Sequence, residues 1–382
     1  MKKLFILLMA LGLIAAACGD GDSDETTSSE SESATESSDS DSETADEGED
    51  EAMADDEAMA DDEAMADGEG LSVEEINVAY FAQWPTPNQY GQLDDTFSDT
   101  VGATINWLPF NSGGEMSEAM IAGDVDIAYS QGLTPFAGAI NAGADLKLVG
   151  IAVSYAEADN CVASADLGVT RDNAAEALAG ATVMTPIGNV THYKMLSMME
   201  FLGVDLAGLN ILQAEGGATT AAAFEAGDID VGCAFGGSIE TMLANGGELI
   251  MTGAEHESDI GIFTYDIVSI PTSYGEEHGD AVSAFLAATE EFNQAWASDK
   301  EGRNATIATA AGMEDVGNFL GGEEWFVFPT IDEQLGADWL GGNVADAMQG
   351  QVETLAELGG GDPAVGDFAG AVDTSFLEAT QG

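Results

Sequence analysis

Ala122-Gly123-Asp124-Val125-Asp126-Ile127 has a near copy in Ala226-Gly227-Asp228-Ile229-Asp230-Val231, some 100 residues on. In each, Ala-Gly closes a helical pattern, because glycine most readily takes the left-handed conformation that ends a helix. Alternating residues then read as strand, and a glycine-bearing loop follows: Ser130-Gln131-Gly132 in the first copy, Phe235-Gly236-Gly237 in the second. Each loop leads into a new helical pattern. The separation far exceeds a solenoid period, so the copies imply two α/β domains of similar plan.

The flanking sequence alternates in the same way. Residues 76–81, 104–107, 124–128, 147–153 and 181–184 read as strands, and residues 115–122 and 191–202 as helices, the first with Met116, Ala119 and Met120 on one face. This alternation predicts β-α-β units and a mostly parallel sheet in each domain. Ligands of open α/β sheets bind beyond the carboxyl ends of the strands. Loops at 83–86, 111–114, 130–135, 188–192 and 235–238 suit that place, and most precede a helix, whose first N–H groups favour an anion.

The chain opens Met1-Lys2-Lys3 and is apolar from Leu4 to Ala17, a secretory signal pattern too short for a membrane span of roughly 20 residues. Ala15-Ala16-Ala17-Cys18 resembles a bacterial lipobox, which makes residues 1–18 a lipoprotein signal and Cys18 the lipidated residue. Residues 19–70 hold 23 acidic residues, no Lys, Arg or aromatic residue, and three copies of Glu-Ala-Met-Ala-Asp. Such a segment cannot bury enough apolar surface to offset chain entropy and is expected to be a disordered acidic tether. The expected location is extracytoplasmic, anchored to the cell membrane through lipid.

The whole chain carries 71 acidic and 7 basic residues, a net charge of −64. Beyond residue 70 the basic residues are Lys147, Arg171, Lys194, Lys300 and Arg303. This balance excludes nucleic-acid binding, which needs Lys and Arg to neutralise phosphate. With Cys18 lipidated, Cys161 and Cys233 remain. An exported chain with two such cysteines favours a disulfide between them, with two buried thiols as the alternative.

Several motifs, in order, carry a family resemblance. The stretch 104–137, with Trp107, Phe110, Ser112-Gly113, Gly123-Asp124-Val125 and Thr134-Pro135, resembles the taurine-binding proteins of ABC importers. So do Thr191-His192-Tyr193, Gly227-Asp228-Ile229-Asp230 and Tyr265-Asp266. Aliphatic-sulfonate, nitrate and thiamine-precursor binding proteins share the plan more loosely. The resemblance implies a periplasmic-binding-protein type II fold, two Rossmann-like lobes with a ligand cleft between them. It implies lobe 1 at 71–157 and 267–382, lobe 2 at 158–266, and hinges near 154–160 and 262–268. It places Ser112, Gly113, Thr134, Thr191 and His192 around a sulfonate, and Asp266 against an ammonium. One departure is Phe235-Gly236-Gly237, where the taurine proteins carry a Trp.

Individual residues fit this picture to different degrees. Asp266 lies in the apolar run 262–268, where a carboxylate needs a partner; a ligand cation or a solvent-facing position both satisfy it. Trp84, Tyr129 and Phe235 are open to either ligand stacking or core packing, and His192 to either an oxyanion contact or a helix cap. Gln131 and Asn189 stand in the candidate loops. His256 and His278 are expected at the surface, and residues 323–326 in packing. No zinc-spaced cluster, Gly-Lys-Ser/Thr phosphate loop, Gly-x-Ser-x-Gly elbow or complete dinucleotide fingerprint is present. The expectation is a binding protein, not an enzyme, monomeric and without cofactor or metal. It would hand taurine or a related small sulfonate to ABC permease subunits. A cationic-amine binder and a pyrimidine-binding or pyrimidine-synthesising relative are the alternatives.

Overall fold

In the computed structural model, which describes residues 70–321 and 325–381, two sheets are built from eleven strands. The signal, Cys18 and the tether up to residue 69 lie outside the described residues. The first sheet has the order β11-β4-β10-β3-β1-β2, with β1 Glu75–Phe81, β2 Thr104–Phe110, β3 Ile127–Gly132, β4 Leu146–Tyr155, β10 Thr264–Pro271 and β11 Phe326–Val327. The second has the order β7-β6-β8-β5-β9, with β5 Asp159–Ser164, β6 Thr182–Thr185, β7 Asn210–Gln213, β8 Val231–Phe235 and β9 Gly247–Leu249. In the first sheet β1 runs parallel to β2 and β3, and in the second β6 runs parallel to β7 and β8. The strands β10 and β5 run antiparallel to their neighbours.

The repeated Gly-Asp-x-Asp sequence builds the same corner in both lobes. Helix α1, Gly113–Ala122, ends at Gly123 with φ of 82°, whose N–H bonds back into the last turn. Its counterpart, the helix Gly217–Ala226, ends on Gly227 at φ 73° in the same manner. The second Asp of each motif then grips the start of the neighbouring strand. Asp126 Oδ2 accepts from Asn77 N at 2.7 Å, and Asp230 Oδ2 from Thr182 N at 2.8 Å. These residues thus end the turn, and β3 begins at Ile127 rather than at 124.

Each lobe has its own apolar core. β4 and β10 are buried along nearly their whole length, as expected for central strands covered on both faces. In the second lobe the pleat sends Cys161, Val183, Val231 and Cys233 to one face, with Met195 and Met199, and Val162 and Ala234 to the other, with Phe224 and Met242. The chain crosses between sheets at 156–158 and returns at 261–263. A boundary at 266 falls inside β10, which pairs wholly within the first sheet. The C-terminal segment is not confined to one lobe either. The helix Asn343–Glu357 gives Met348 and Val352 to the first core and Leu355 to the second.

Cys161 and Cys233 face each other across β5 and β8 and are joined as a disulfide that closes a 72-residue separation. Closing a loop of that length stabilises a fold by roughly 3–5 kcal/mol. Reduction, or Cys161→Ser with Cys233→Ser, is expected to lower the urea-unfolding free energy by about that amount. An unchanged unfolding curve would show that the bond carries no stability.

Candidate ligand-binding site

The carboxyl ends of β1, β3 and β4 meet the carboxyl end of β8 and the loop after β6. Because β5 and β10 run against their neighbours, their first residues lie on these same edges. Between them is a narrow cavity, whose void with the open solvent at its mouth included is about 240 Å³. Phe81, Trp84, Gly132, Tyr155 and Asp266 line it from the first lobe, and Asp159, Asn189, Val190 and Phe235 from the second. Phe235 also lines a larger neighbouring hollow of about 650 Å³, bounded by Asn111 and the helix start at Gly216–Gly217.

Asp266 is 2 % exposed. Its Oδ1 accepts from the Tyr155 hydroxyl at 2.9 Å and its Oδ2 from the Ser130 hydroxyl at 3.0 Å. The Trp84 indole N–H donates to Ser130 Oγ at 2.9 Å. Ser130 is held at φ 61° and Gln83, next to Trp84, at φ 60°. Two left-handed non-glycine residues at one cavity are local strain of the kind that gathers at binding sites. Burial pushes the Asp266 carboxyl well above the usual range against the pull of its two donors, and the Asp159 charge adds to the rise.

The walls are aromatic. Trp84 meets Phe326 at 4.6 Å, Tyr155 at 5.0 Å and Phe235 at 6.1 Å between ring centroids, and Phe81 meets Phe235 at 5.5 Å. Two helix starts complete the lining. Helix α2, Leu133–Asn141, begins at Gly132, and helix α3, Val190–Phe201, at Asn189; neither N-cap makes a side-chain cap bond. The cavity thus offers carboxylates and π faces, which attract a cation, and helix N-termini, which attract an anion. No Lys or Arg lines it.

Of the residues expected from sequence, Trp84, Asn189, Phe235 and Asp266 line this cavity, and six do not. Ser112 caps α1 by accepting from Glu115 N, and Gly113 packs against Pro135. Gln131 is spent in a buried network with the Gly113 carbonyl, Ser117 and Ser269. Thr134 donates to Gln351 at 2.8 Å. Thr191 is buried behind the start of α3. His192 accepts from Gly188 N at 3.2 Å through Nδ1 and packs near Gly360; burial lowers its pKa to about 4, so it is neutral. His256 is buried, not superficial, with its pKa lowered to about 4 by desolvation and then by the Lys194 charge. Tyr129 belongs to the core, against Phe285.

Sequence reading missed Phe81, Gly132, Tyr155, Asp159 and Val190. Tyr155 and Asp159 flank the first crossing between sheets, and that position was the available signal. Asp159 is 2 % exposed. Burial raises its pKa to about 7, opposed by the charge of Lys194.

Residues 104–300 match the family model described as NMT1/THI5 like. The chain belongs to the NMT1/THI5-like family. The taurine-binding periplasmic protein of Escherichia coli is 24 % identical over 309 residues, which cover 79 % of this chain and 92 % of that one. Among solved structures, the alkanesulfonate-binding protein SsuA from Xanthomonas axonopodis pv. citri, bound to MOPS, superposes with a TM-score of 0.66 at 19 % identity, covering 79 % of this chain and 99 % of its own. The periplasmic nitrate-binding protein NrtA from Synechocystis PCC 6803 gives a TM-score of 0.62 at 14 % identity, over 82 % and 89 %. This NMT1/THI5-like chain has the type II periplasmic-binding-protein fold.

The raised pKa of Asp159 has a stability consequence for the protein without a guest. Between the ordinary value of 3.8 and about 7, the folded state keeps a proton that the unfolded chain releases. The stability this contributes is therefore complete below pH 3.8 and lost as pH rises through about 7. Asp159→Asn removes the loss. At pH 8 the variant is expected to melt about 3–6 °C above the wild type, from an ionisation cost on the order of 2–4 kcal/mol. At pH 4 the two should melt together. Equal melting temperatures at both pH values would contradict the raised pKa.

Proposed function

We propose that this protein is an extracytoplasmic solute-binding lipoprotein that captures a compact amine, with taurine or a related aminosulfonate as the leading guest, and delivers it to ABC permease subunits. Lipidated Cys18 anchors it, and residues 19–70 serve as the tether. The observation that carries the reading is Asp266, a buried carboxylate set in aromatic walls, with two uncapped helix starts lining the same cavity. The ammonium of the guest meets Asp266 and the π faces. Its sulfonate meets the N–H groups at Gly132–Leu133 and Asn189–Val190. Likeness to the taurine-binding and sulfonate-binding proteins supports the anion half of this reading. Lobe closure by hinge motion at 156–158 and 261–263 shields the guest from water.

A wholly cationic amine is the second reading. It is favoured by the second carboxylate, Asp159, and by the lack of any basic side chain in the lining. Export and the binding-protein relatives speak against a pyrimidine-synthesising enzyme.

Isothermal titration separates the readings. Taurine is expected to bind, and Asp266→Asn to weaken it roughly 10- to 100-fold, the loss of a charged hydrogen bond of about 1.5–3 kcal/mol. Alkylsulfonates without an amine should bind more weakly than taurine. Binding of simple amines with no response to alkylsulfonates would favour the cationic reading. Unchanged taurine affinity in Asp266→Asn would overturn the role of that residue.

A further inference from the structure

Asp159 stands in a different condition from Asp266. It opens β5 on the second lobe, faces the same cavity, and is equally buried. Asp266 receives two hydroxyl hydrogen bonds, whereas Asp159 Oδ1 is buried with no hydrogen-bond partner. Native proteins rarely leave a buried polar atom unsatisfied, and each such atom calls for an explanation.

The donors nearby are already committed. Lys194, buried in α3, directs its ammonium to the backbone carbonyls of Ala156 and Asp159 rather than to the carboxylate. The Tyr155 hydroxyl is given to Asp266, and the Trp84 indole N–H to Ser130. Asp159 and Asp266 line the same cavity, and the charge of Asp159 raises the pKa of both Asp266 and Tyr155. An amine in the cavity that Asp159 lines would supply the donor its Oδ1 lacks.

We propose that Asp159 is a second receptor for the ammonium of the guest, so that Asp266 from one lobe and Asp159 from the other share its N–H groups and hold the lobes together. This rests on the reading of the cavity as an amine site. It narrows the guest to a primary or secondary ammonium. A quaternary nitrogen has no N–H to divide between two carboxylates, and its methyl groups would leave Asp159 unsatisfied. Asp159 thus sets specificity, while the aromatic walls alone would accept either kind of cation.

Titration calorimetry on the full chain with taurine and propylamine, each beside its N,N,N-trimethyl counterpart, tests this. Whichever primary ammonium binds should do so at least tenfold more tightly than its trimethyl form. Asp159→Asn should weaken the primary ammonium at least tenfold and the trimethyl form by a clearly smaller factor. The methylation series on the wild type stands even where the variant fails to fold. If a primary amine binds and Asp266→Asn weakens it while Asp159→Asn does not, or the trimethyl form binds as tightly, the shared-ammonium proposal is overturned and the amine site survives. If neither amine binds the wild type, both fall together.

Discussion

A carboxylate buried among aromatic rings is the constraint around which this molecule is organised. Removing such a group from water is costly unless donors or a cation meet it. Here Tyr155 and Ser130 supply two neutral donors, and Trp84 in turn orients Ser130. The arrangement keeps Asp266 in place without a counter-charge. The chain has 71 acidic and 7 basic residues, and among the described residues Asp159 and Asp266 are the buried carboxylates, with few cations available to pair with them. That carboxylate without a counter-charge is the feature on which the proposed amine recognition rests.

The scaffold delivers that carboxylate through a repeated device. In both lobes a left-handed glycine ends a helix, and an Asp three residues later accepts from an amide in the first half of the adjacent strand. Each corner fixes where its strand begins. The opposite ends, at Gly132 and Phe235, are thereby brought to one cleft. The reversed strands β10 and β5 then place an acid from each lobe at that cleft, because an antiparallel strand starts where its neighbours finish. The helix Asn343–Glu357, seated on both cores, spans the lobes and so links them outside the two crossings.

Much of the fold was legible because it is periodic. The Gly-Asp-x-Asp copies, the strand at 76–81 and the helix near 191–202 follow from local pattern, and their order carried the family. The site was legible only in part. Asp266 stood out as an acid in an apolar run, and Trp84 and Phe235 as aromatics in loops. Gln131 and Thr134 lie in the right loops but turn their polar atoms to Ser269 and Gln351, partners distant in sequence. No local pattern reveals such a pairing. Asp159 was overlooked for the converse reason. Among so many carboxylates nothing in the sequence marks one as buried, and only its antiparallel register beside Phe235 brings it to the cleft.

A crystal structure of the protein with the small molecule that co-purifies with it tests the central claim most directly. The account predicts a nitrogen of that molecule within hydrogen-bonding distance, roughly 2.7–3.2 Å, of the Asp266 carboxylate, beside the rings of Trp84 and Tyr155. A guest bound elsewhere, or one that turns an anionic or apolar end toward Asp266, would contradict it.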